Sequence, residues 1–149
     1  VEPIHMHATT FLLVIAMTAI PSVPEGANVL SSSHGAAETI DRLSALVEAH
    51  GGTVFARIDF SADARKAGLE LRPEVLLVFG NPKQGTALLQ AAPSVGLDLP
   101  LKALAWTDEN GATWVAFDTA EYVTRRHGLS PSLQANISGA RVLIEQAAR

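Results

Sequence analysis

Apolar and polar positions change period several times along this chain, and each change marks an element. Ile40, Leu43, Leu46 and Val47 recur at helical spacing until His50-Gly51-Gly52 ends the run, which predicts a helix with Ser31 to Ser33 as its candidate caps. From Thr53 to Phe60 the period falls to two. Val54, Ala56, Ile58 and Phe60 share one face and Arg57 and Asp59 the other, the pattern of a half-buried strand whose core face Phe60 joins. Ser61 is placed to cap a short helix that runs through Lys66 and stops at Gly68. Val75 to Phe79 is apolar throughout, as an interior strand is.

The next helix opens at Asn81-Pro82, with Asn81 at the N-cap and Pro82 at the first helical position, and Pro93 cuts it. Lys102 to Thr107 and Ala112 to Phe117 read as two strands joined by Asp108-Glu109-Asn110-Gly111, a strong hairpin signal. Trp106 and Trp114 fall near each other across that hairpin, diagonally by the count from its turn. Thr119 caps a helix that Gly128 ends, and Ser132 or Ser138 begins a last helix with Val142, Leu143 and Ala147 inward. Interleaved helices and strands with an antiparallel hairpin predict an α+β fold, a two-layer sandwich with helices on one face of a mainly antiparallel sheet.

The chain has 149 residues, enough for one domain with a real core, assigned here to residues 29–149. Residues 1–28 form a separate N-terminal segment, with the apolar run Phe11 to Ile20 closed by Pro21. Ten apolar residues are too few to span a bilayer, so no stable membrane span is expected. The run suits a degenerate export signal or an arm packed on the domain, and either a cytoplasmic or an exported (periplasmic) location fits. A net charge of −4 argues against nucleic acid as a partner. The absence of cysteine excludes thiol nucleophiles, thiolate metal sites and disulfides. An apolar content of 48% in a domain this small favours a homo-oligomer, a dimer first.

Candidate chemistry is sparse. The strand-to-helix turn Gly80 to Thr86 can hold an anion or small molecule through helix-start N–H groups with Lys83 and Thr86 beside them, although helix capping alone explains Asn81 and Pro82. It lacks the lysine of a P-loop before Thr86. Asp98 stands before the Leu99-Pro100-Leu101-Lys102 corner, where it can hydrogen-bond its own turn, pair with Lys102 or act as a base. The candidate ligand-binding set is therefore Asn81, Lys83, Thr86, Asp98 and Lys102. His5-Met6-His7 has no accompanying carboxylate cluster, so no metal site is assigned, and no cofactor is indicated. His50 and His127 fall at helix ends, where they complement the dipole, and Arg125-Arg126-His127 forms either a solvated helix end or a cationic patch.

Leu76 to Thr86 and Asp98 to Lys102 together resemble the bacterial and archaeal family catalogued as domain of unknown function 302, over about residues 29–129. The resemblance implies an α+β sheet with the topology of a TATA-binding-protein half-domain and carries no established activity. Where the family's strand usually reads Ile-Asp-His, this chain has Ile58-Asp59-Phe60, and Phe117 stands where Tyr is common. Three classes of function stay open: a small-ligand-binding or regulatory domain, an assembly module without ligand, and a hydrolase-type enzyme using Asp59 or Asp98 as base.

Overall fold

The computed structural model describes residues 19–149. Of the N-terminal segment 1–28, read as an export signal or packing arm, residues 1–18 and with them most of the Phe11 to Ile20 run lie outside the described residues. Five strands form one sheet: β1 (Ala27–Ser32), β2 (Thr53–Asp59), β3 (Glu74–Gly80), β4 (Leu101–Thr107) and β5 (Thr113–Asp118). Their spatial order is β1-β5-β4-β3-β2, and every neighbouring pair is antiparallel. The helices are α1 (Ala36–Ala49), α2 (Phe60–Lys66), α3 (Pro82–Ala91), α4 (Ala120–Arg126) and α5 (Ala135–Ala148), with short 3-10 turns at Pro93–Leu97 and Pro131–Leu133. This is the two-layer α+β arrangement that the alternating pattern predicts.

The main core lies between the sheet and the pair α1 and α5. Ile40, Leu43 and Val47 of α1 and Ile144 and Ala147 of α5 cover Val75, Leu77, Phe79, Ala103, Ala105, Val115 and Phe117. Burial alternates strictly along β3, so one residue in two faces these helices. A smaller cluster of Leu88, Val95, Val123, Leu129 and Ile137 ties α3, the Pro93–Leu97 turn, α4 and α5 together beyond the sheet.

Several local readings change. Ser32 belongs to edge strand β1, which the sequence pattern did not reveal, and Gly35 takes the N-cap of α1. Asp59, not Ser61, caps α2: its carboxylate accepts from the Ala62 N–H at 2.9 Å and from the Ser61 hydroxyl at 2.5 Å. Phe60 begins that helix and is 37% exposed, so it leaves the strand rather than joining a core face.

In β2 a register shift between Val54 and Ala56 reverses the facing. Val54 packs with the main core, and Arg57 reaches Asp41 of α1 at 3.1 Å. Ala56 and Ile58 oppose Val78 and Leu76 on the other face of the sheet. In α5 Leu143 and Ala147 pack with the main core as expected, Ile137, Ile144 and Ala148 are buried as well, and Val142 is 53% exposed. Trp106 and Trp114 are directly paired, not diagonal.

Candidate functional site

Where β3 ends at Gly80, the chain turns into α3 and leaves a cavity of about 480 Å³ beside the sheet. Its walls come from the last turn of α1, the ends of β2 and β3, the first turns of α3, the Leu99-Pro100-Leu101 corner and the first turns of α5. Phe55, Phe79, Leu89, Leu99, Leu101 and Leu143 supply much of the apolar surface. Asn81, Gln84, Thr86, Asn136 and His50 supply the polar groups, and no Asp, Glu, Lys or Arg lines the space.

Most of those polar groups are already engaged. Asn81 caps α3 by accepting the Lys83 N–H at 3.0 Å. The Gln84 and Gly85 N–H groups both donate to the Asn81 carbonyl, so the helix-start donors converge on Asn81 itself. The Thr86 hydroxyl donates back to the Pro82 carbonyl at 2.6 Å, and the Asn136 amide donates to the Gln84 carbonyl, joining α5 to α3. His50 Nδ1 pairs with the Leu46 carbonyl at 2.8 Å. The surface offered to a ligand is mainly apolar.

The structure divides the candidate set. Asn81 and Thr86 line the cavity. Lys83 is exposed outside it, and Lys102, whose ammonium approaches the Pro100 carbonyl at 3.5 Å, borders a separate hollow of about 60 Å³. Asp98 has its own partners, and Lys102 is not one of them. It is 9% exposed and accepts from Arg126 Nη1 at 2.8 Å and from His127 Nε2 at 2.5 Å. The other ring nitrogen of His127 meets the Ser94 hydroxyl at 2.8 Å.

His127 is thus drawn inward by a buried carboxylate, while Arg126 reaches the same carboxylate from a side chain that stays 47% exposed and Arg125 remains on the surface. The sequence offers no motif for this chain of contacts, since His127 lies 29 residues from Asp98 and 33 from Ser94. The signal that was available is a lone acidic residue at a proline corner and a basic helix end, both without local partners. Among the described residues no group of three or more His, Asp or Glu side chains is placed to hold a metal ion.

Curated proteins of Brucella are similar to this chain over most of its length. The chain is 38% identical over 130 residues to the fluoride-specific ion channel FluC 1 of Brucella suis biovar 1, a match covering 85% of this chain and 51% of that protein. It is equally similar to the fluoride-specific ion channel FluC 2 of Brucella melitensis biotype 1, of which 48% is covered. The chain therefore spans about half the length of these relatives. Among solved structures, the uncharacterized conserved protein DUF302 from Bacillus stearothermophilus superposes with a TM-score of 0.68 at 21% identity, covering 84% of this chain and 97% of that one, a likeness of fold. Residues 28–147 match the family described as Domain of unknown function DUF302, and the chain belongs to that family.

Proposed function

We propose that this domain binds an uncharged, largely apolar small molecule in the cavity beside α3 and acts as a regulatory module, working as a homodimer. The observation that carries the reading is the cavity itself. Its volume of about 480 Å³ is that of a small-ligand site, and its wall is apolar with a few polar groups near one helix start. Of the candidate ligand contacts, Asn81 and Thr86 fit this role, whereas Lys83, Asp98 and Lys102 stand outside the cavity.

The Brucella relatives suggest a setting. They are named as fluoride channels, and among the described residues of this chain no helix is long and apolar enough to cross a membrane. A domain of this kind would serve transport as an accessory that senses a ligand. Fluoride is a poor candidate for that ligand, because a small anion needs converging N–H or cationic donors and the cavity lining contributes none that is charged.

Gly139 lies on the cavity wall in α5, and a Cβ there would meet nothing within 4 Å. The expected result is that hydrophobic compounds raise the melting temperature of the wild type in a dose-dependent way and that sodium fluoride does not. Gly139→Phe fills the space and removes the response while leaving the melting temperature of the free protein the same or higher, since glycine is a weak helix former. An unchanged ligand response in Gly139→Phe would place binding elsewhere.

A further inference from the structure

We propose that Ser94 is an acyl-accepting nucleophile, activated by His127 and Asp98, with carboxylic esters as its class of substrate. Pro93 starts a 3-10 turn that leaves Ser94 exposed on its first part and buries Asp98 at its end. His127 ends α4 with its side chain only 5% exposed, wedged between the two. Asp98 Oδ2 contacts His127 Nε2 at 2.5 Å, and His127 Nδ1 contacts Ser94 Oγ at 2.8 Å.

An ionised carboxylate can only accept, so Nε2 carries the proton that faces Asp98, and in the neutral ring Nδ1 then has its lone pair free for the Ser94 hydroxyl. Arg126 on the other carboxylate oxygen holds Asp98 in place. The ring nitrogens are exchanged relative to the serine hydrolases, but the path of the proton is the same.

The joint between the turn and α4 does not require the hydroxyl, because Asp98 already ties them through Arg126 and His127. Ser94 is surplus to that joint and open to solvent. Leu97, three residues on and therefore on the same face of a 3-10 turn, is 75% exposed, and Gly96 between them lines the cavity. The hydroxyl thus stands beside an apolar surface that suits an acyl chain.

In the reaction Ser94 Oγ attacks the carbonyl carbon while its proton passes to His127 Nδ1. The carbon–oxygen bond to the alcohol then breaks, and the departing oxygen takes that proton. Water, deprotonated by His127, releases the acid and restores the hydroxyl.

A fluorophosphonate probe tests this on the intact protein: Oγ displaces fluoride at phosphorus, and the adduct is mapped by mass spectrometry. Ser94 is expected to carry the label, Ser94→Ala to abolish it, and His127→Gln to slow it by about 10²–10⁴-fold. The unfolded wild-type chain is expected to label Ser94 no faster than its other serines, a comparison that stands even where His127→Gln does not fold. Absence of the adduct, labelling spread over many serines, or an unchanged rate in a folded His127→Gln protein would overturn the proposal.

Discussion

Asp59 shows how one side chain fixes both a boundary and a pH response. It stops β2 and starts α2, accepting from the Ser61 hydroxyl and the Ala62 N–H. Those hydrogen bonds, the Ser61 hydroxyl first, hold its carboxyl below the ordinary carboxylate range, with Arg65 and Arg57 adding to the effect. A folded-state pKa below the unfolded one contributes stability that is present at neutral pH and disappears as the pH falls through the folded value. Asp59→Ala is therefore expected to cost about 0.5–2 kcal/mol near neutral pH, the range for a lost N-cap. The difference from wild type should narrow in acid. Urea midpoints of both proteins at neutral and at strongly acidic pH check the sign, and a gap that widens in acid would contradict it.

At the scale of elements, α3 is the helix most plainly written in the sequence. Asn81-Pro82 after an apolar run specified its start, Pro93 its end, and the structure gives Pro82–Ala91. The hairpin of β4 and β5 was equally legible, because Asn110-Gly111 has few alternatives. Strand β1 was not, since Ala27–Ser32 is a half-buried edge whose pairing with β5 is a long-range event. The facing of β2 was misread because the shift at Val54/Ala56 changes phase without changing composition.

The cavity was half legible for the same reason. Asn81 and Thr86 are local to a readable turn, whereas Asn136 and Leu143 arrive from the far end of the chain. The cap on α3 has its own test. Asn81→Ala should lower stability by about 1 kcal/mol, and Asn81→Asp should stay near wild type because it keeps the acceptor and suits the helix dipole. Equal losses in both variants, measured by urea denaturation, would show that the Asn81 side chain acts through something other than the cap.

At the scale of the whole molecule, the sheet has one covered face and one without a helical layer. Residues opposite one another in the register share a face. The pairs Ile58 with Leu76, Leu76 with Leu104, Leu104 with Ala116, and Ala116 with Val29 therefore draw a continuous apolar row across all five strands. Val78 and Trp106 widen it, and none of these residues belongs to either core cluster.

Five strands about 4.8 Å apart and about six residues long present a face of roughly 24 by 20 Å, on which the apolar row is flanked by Glu74, Lys102, Ser31 and Asp118. A second copy laid on the same face would remove it from water and satisfy two-fold symmetry, because the patch then meets itself. Sedimentation equilibrium is expected to return twice the mass of the chain. Leu104→Lys places a charge at the centre of the row on the side away from α1 and α5, so it should yield a folded monomer with its helical circular dichroism intact. A wild type that sediments as a monomer, or a Leu104→Lys protein that remains dimeric, would move the interface off this face.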